Sequence, residues 1–315
     1  AGTFKATSIQ CQIQSSKCSI HLKTSRFSKM TILEILEFGF MQRALISGIA
    51  VATICSAIGL FLVLRKHSLF GDAMSHVAFG GLSIGLFFNL YPIWTAYAFT
   101  LIAALGITKM TDSIKIPPDS SVAILLSSGL AIGIVLISLS GGYSLDLFSF
   151  LFGSILLIST QDTITIVFLS ISILSIITIM YRRLMYITFD DKQARVSGIN
   201  VKFANYVFIV LAAITVVTSI RLVGVLLISA LIVLPNITAI LFGKGFKKTA
   251  VISVGIAAAS VVLGIIVSYF ANVAPAGAIV LTSVAIFLCT IVTREIRKSI
   301  RSGKITEPHV HNRPH

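Results

Sequence analysis

The chain has 315 residues, of which 56% are hydrophobic and only 11% charged, and its mean hydropathy is +0.98. Ordinary soluble domains carry roughly 25% charged residues, so a water-soluble globule is excluded. A net charge of +14 would suggest nucleic acid in a soluble protein, but here Lys and Arg sit at the ends of apolar runs and in the two tails. That is the pattern of membrane orientation, and no nucleic-acid partner is expected.

Residues 1–29 are polar, contain Lys5, Lys17, Lys23, Arg26 and Lys29, and have neither an acidic residue nor an apolar stretch. They do not read as a secretory signal. The segment is expected to be a disordered or spurious extension, with a weak likeness to an organelle transit peptide as the alternative, since Met30 opens an ordinary start. Cys11, Cys18, Cys55 and Cys289 show no C-x-x-C spacing, so neither a disulfide framework nor a thiolate metal site is read.

Nine apolar runs follow, at 42–64, 73–90, 92–110, 120–140, 162–181, 203–220, 222–242, 249–271 and 276–293. Since about 20 apolar residues cross the hydrocarbon core as a helix, they predict an all-α polytopic bundle of about 8–10 transmembrane helices. Segment 146–160 is short enough for a re-entrant helix. The domain reading is the extension, a transmembrane domain over 30–298, and a His-bearing tail over 299–315.

Basic residues fall at every second boundary: Arg65 and Lys66; Lys109 and Lys115; Arg182, Arg183, Lys192 and Arg195; Lys244, Lys247 and Lys248; Arg294, Arg297 and Lys298. The alternate breaks carry almost none, Arg221 being the clear exception. The positive-inside rule therefore places the C-terminus in the cytosol of a cell-membrane protein. No G-x-x-x-x-G-K-[ST] phosphate loop occurs, so ATP-driven work would need a nucleotide site on a separate subunit, and the chain itself is not expected to be an enzyme.

Ionisable residues within apolar runs are costly and usually functional. Of the six His, only His76 lies within a run; His21 is in the extension, His67 in a break, and His309, His311 and His315 in the tail. Asp72 precedes His76 by four residues, which on a helix sets carboxylate and imidazole one turn apart on one face. An oxygen with an imidazole nitrogen suits manganese, ferrous iron or zinc. Two ligands are too few for a good site, but a homodimer with this face on its two-fold axis would bring four together. The alternative is structural: Asp72 caps the helix near Ser75, and His76 bonds a neighbouring helix.

The stretch Ser68-Leu69-Phe70-Gly71-Asp72-Ala73-Met74-Ser75-His76 resembles the signature of the zinc, manganese and iron permease family of ATP-binding cassette importers. In the same order come Leu151 to Leu156 with Ser159 and Asp162, then Val223-Gly224-Val225-Leu226-Leu227 through Ala230-Leu231 to Pro235 and Thr238-Ala239. Asp119 with Ser127 and Gly133, and Pro275 with Gly277, resemble two further motifs, and the likeness covers about residues 40–295. Helix capping accounts for Asp119 and Asp162.

The resemblance implies a type II importer-like permease acting as a homodimer in membrane lipid. Its implied partners are cytosolic ATP-binding cassette ATPase subunits and an extracytoplasmic metal-binding protein. Asp72 and His76 would line the pathway of a transported divalent metal, with no cofactor held permanently. Two departures stand out: Phe79-Gly80-Gly81 where the family has Leu-Pro-Gly, and Asn236 within Pro235-Asn236-Ile237-Thr238-Ala239 where it has Ala. The competing functions are an ATP-independent secondary metal transporter or channel, and an importer of a metal chelate or cobalamin-type cargo.

Between Phe189 and Asn200, a short helix from Asp190 to Val196 stopped by Gly198 follows cap logic, with Asp190 and Asp191 at its start. The resemblance makes it the helix that couples to the ATPase, with Asp190, Asp191, Ala194 and Gly198 as its marked residues; a solvated charged turn is the alternative. The tail around His309, His311 and His315 reads either as inert or as a loose zinc-binding tract.

Overall fold

The structure is a computed structural model and describes residues 39–114, 117–140, 151, 153 and 158–303. The extension at 1–29, most of the segment 146–157 and the tail beyond residue 303 lie outside the described residues. Two compact units divide the chain at Arg43; of the first only Gly39 to Arg43 are described, as the opening of a helix, and the helical bundle belongs to the second.

The described chain runs α1 (Gly39–Leu64), α2 (Phe70–Phe87), α3 (Pro92–Ile114), α4 (Pro118–Leu139), α5 (Thr160–Phe189), α6 (Asp191–Val196), α7 (Val201–Val223), a 3-10 turn (Val225–Leu227), α8 (Ile228–Leu241), α9 (Phe246–Ala271) and α10 (Pro275–Gly303). The protein is an all-α membrane bundle. Seven of these helices are long and apolar enough to cross a membrane: α1, α3, α4, α5, α7, α9 and α10.

Two of the nine apolar runs behave differently, for different reasons. Residues 222–242 break at Gly224, whose backbone (φ 82°, ψ 161°) is open to glycine alone, leaving a turn and the 14-residue α8. Gly153, also at positive φ (73°), lies against the backbone of Leu222 to Gly224, where a Cβ would collide. Residues 73–90 form α2, which starts at Phe70 and is only 18 residues long. Carrying Asp72, His76, four glycines and two serines, it is too polar to face lipid and is enclosed by protein instead.

That enclosure uses glycine as contact surface. A Cβ on Gly80 would stand 2.8 Å from the Gly129 carbonyl of α4, and one on Gly81 2.8 Å from the Ala96 Cα of α3. Backbones so close bring many atoms into dispersion contact, which is how helices associate where no hydrophobic effect separates them from lipid. Helices α7 and α8 complete the surround of α2. The most buried spans are α1 and α7, with 67% of their apolar windows covered, against 22–33% for α3, α4, α5, α9 and α10.

Basic residues gather at one end of the bundle. There Phe246, opening α9, meets the rings of Phe61, Tyr181 and Phe189 at 5.4, 5.5 and 6.2 Å, pinning the end of α5. At the other end Arg221 pairs with Asp162, which accounts for the basic residue that stood as the exception among the charge-poor breaks between runs. Asp162 also forms a capping box with Ser159 at the start of α5, as expected. Helix α4 begins on Pro118, so Asp119 lies inside its first turn rather than before it.

Candidate functional site

Asp72 is the third residue of α2, which begins after Leu69 with no side-chain cap. The alternative capping role is not taken: no side chain caps α2, and the Ser75 hydroxyl donates to the Asp72 backbone carbonyl at 2.8 Å rather than engaging the carboxylate. The first-turn position still favours a negative charge through the helix dipole.

One turn on, His76 Nε2 lies 3.8 Å from Asp72 Oδ1, too far for a hydrogen bond. Its Nδ1 is buried and has no hydrogen-bond partner among the described residues. Two ligands at zinc-like bond lengths and a tetrahedral angle stand about 3.4 Å apart, so the pair needs only a few tenths of an ångström to close on one ion.

Burial singles out the same two residues. Between Phe70 and Ser83 every residue of α2 is buried except Asp72 and His76, whose side chains are 28% and 14% exposed. The helix is thus encased on all sides but one, and the opening carries its only carboxylate and only imidazole. No third His, Cys, Asp or Glu joins them among the described residues of the single chain.

The short α6 forms as the cap logic requires. Asp190 is its N-cap, accepting from the Gln193 N–H at 3.0 Å, so the helix proper starts at Asp191. Asp191 pairs with Arg195 one turn later at 2.9 Å. Gly198, at φ 77°, closes the end: its N–H bonds Arg195 and that of Ile199 bonds Ala194, a Schellman motif. Ala194 is the helix's one buried residue, while Val196 stands 90% exposed and Phe189 66%.

The profile of the ABC 3 transport family matches residues 37–294. The chain belongs to that family. It is 36% identical over 252 residues to the manganese import system permease protein ScaB of Streptococcus gordonii, covering 80% of this chain and 90% of that protein. A probable metal transport system membrane protein of Treponema pallidum is 32% identical over 265 residues, covering 84% and 99%. Among solved structures, PsaBC from Streptococcus pneumoniae in complex with Fab superposes with a TM-score of 0.74 at 36% identity, covering 82% of this chain and 93% of that one. As a member of this family the chain is a multi-pass transport component.

Both departures from the family's pattern have local explanations. Gly80 and Gly81 give α2 its close approaches to α4 and α3, so the helix passes that point without a proline. Asn236, fully buried in α8, is satisfied: its amide donates to the Ile232 carbonyl at 2.7 Å and its oxygen accepts from Ser253 at 2.6 Å, with Ser56 donating to Ser253 at 2.8 Å. This relay ties α8 to α9 and α1 beside Pro235, which withholds its own N–H. Gly59 of α1 has no room for a Cβ there, against Ile232 and Asn236. Sequence reasoning saw Asn236 but not its partners, which lie on distant segments.

Proposed function

We propose that the chain is the membrane-spanning permease of an ATP-driven importer of a divalent transition metal, with Asp72 and His76 contributing to the ion's path. The observation that carries this is the opening in α2: the only two residues of its first fourteen that are not buried are a hard oxygen and a borderline nitrogen donor. Manganese is the first candidate, because ScaB is named as a manganese permease; zinc and ferrous iron suit the same donors.

Since one chain offers two ligands, a second copy is needed to complete a site of four. Such a site must bind weakly enough to release its cargo. ATP hydrolysis belongs to separate cytosolic subunits, which dock on α6 with its exposed Val196 and on Phe189 at the end of α5; their closure rocks the helices in alternating access. A metal-binding protein delivers the ion on the opposite face, and the C-terminus is cytosolic.

The test is manganese uptake into proteoliposomes holding the chain with its ATPase partners. Asp72→Ala and His76→Ala should each lower uptake by about tenfold or more, with the thermal midpoint and subunit assembly unchanged. Wild-type uptake rates in both variants would remove Asp72 and His76 from the ion's path. Uptake by the chain alone, without ATP, would make it a secondary transporter.

A further inference from the structure

At the basic end of the bundle a cleft of about 410 Å³ opens between the connection from α1 to α2 and the short helix α6. Its walls include Arg65, Lys66 and His67 from the connection, Asp191 and Arg195 from α6, and Lys202 from the first turn of α7. Four cations thus face a single carboxylate, and Arg195 already engages that carboxylate at 2.9 Å. A divalent cation would be repelled from this space, so it is no route for the metal proposed above.

Arg65 is held there at some cost. Its Nε donates to the Thr188 hydroxyl at 3.1 Å and its Nη1 to the Asn205 oxygen at 3.0 Å, both neutral acceptors. The guanidinium lies 4.8 Å from the centre of the Phe208 ring, and Nη2 is buried with no hydrogen-bond partner among the described residues. Desolvation pulls the group down to about 10, against the pull of Asp191. A cation so placed is stabilised by any anion brought near it.

Lys66 supplies the second observation. Like α6, α1 ends in a Schellman motif: the N–H of Lys66 bonds Val63 and that of His67 bonds Leu62. At the left-handed position α6 uses Gly198, whereas α1 uses Lys66 at φ 61°. Glycine is the unstrained residue there, so a lysine accepts backbone strain in return for a charge at the cleft's rim.

We propose that this cleft is a binding site for a phosphate-bearing anion, clamped between the α1–α2 connection and α6. Two sources share that chemistry: the headgroup of an anionic phospholipid, which basic pockets between membrane helices commonly take, and a soluble polyphosphate. An adjoining cavity of about 110 Å³ also lined by Arg65, His67 and Asn205 continues past Phe70 and Phe208, giving an acyl chain somewhere to begin. The site does not depend on the chain carrying metal.

The experiment uses the full chain in phosphatidylcholine nanodiscs, with pyrophosphate titrated in one arm and phosphatidylglycerol mixed into the bilayer in the other. A saturable rise in thermal midpoint is expected in at least one arm, and which arm responds identifies the source. Lys66→Gly and Lys202→Gln should each weaken the response by about fivefold, with Lys66→Gly matching or exceeding the wild-type midpoint when no anion is present. Lys247→Gln and Lys248→Gln, exposed at the same end but outside the cleft, should leave it unchanged. No response in either arm overturns the proposal, as does equal weakening by the outside variants, which would mean diffuse surface charge. Loss of the response when ATPase subunits are added would mean that a protein group fills the cleft, and overturns it for the assembled transporter.

Discussion

Asp72 and His76 stand out in the sequence because they are a carboxylate and an imidazole one helical turn apart at the start of an apolar run, and helical spacing is a local property. What local spacing could not decide was whether they cap and pack or stay available; the absence of a side-chain cap at the start of α2 and the burial of the residues around them favour availability. Arg65, by contrast, reads in the sequence as one more basic residue after a span. Only the fold sets it over Phe208, between Thr188 and Asn205. Its depressed value of about 10 still leaves it charged near neutrality. A base lowered by folding carries a penalty that is constant below its folded value and is relieved only as pH rises above about 10 towards the higher value of the unfolded chain. The difference in thermal midpoint between wild type and Arg65→Gln should therefore be flat from about pH 6 to pH 9. A slope in that window would mean a different group titrates with the substitution.

The elements were legible in proportion to how far their signals are local. Helix α6 was readable to within a residue, because Asp190 and Gly198 act on their own backbone. Helix α2 was found but shifted, since its polar first turn depresses a hydropathy signal that tertiary enclosure makes irrelevant. The run at 222–242 was misread as one span because apolar composition hides the break at Gly224. If α6 couples to a partner subunit, its exposed residues should matter for assembly and not for folding. Val196→Asp, at a side chain 90% exposed, should change the thermal midpoint by no more than about 0.5 kcal/mol's worth. It should nevertheless lower retention of the ATPase subunits in pull-down by several-fold, and full retention would remove α6 from the docking surface.

For the whole molecule, the main consequence of a two-donor opening is stoichiometric. A shared site predicts one manganese ion per two chains by calorimetry on the reconstituted permease, and no binding to dimers carrying His76→Ala in both copies. One ion per chain would show that each protomer completes its own site and would refute the shared arrangement. Composition by itself determined that the chain lives in a membrane, and charge placement gave the expected direction of its ends, because both depend only on what the bilayer excludes. The order of motifs carried the family. The tertiary structure alone decided that α2 is sheathed in protein, that Asn236 is satisfied by Ser253, that Asp162 answers Arg221, and that the basic residues of three segments enclose a cleft. Each of those depends on side chains far apart in sequence, where neither periodicity nor composition leaves a trace.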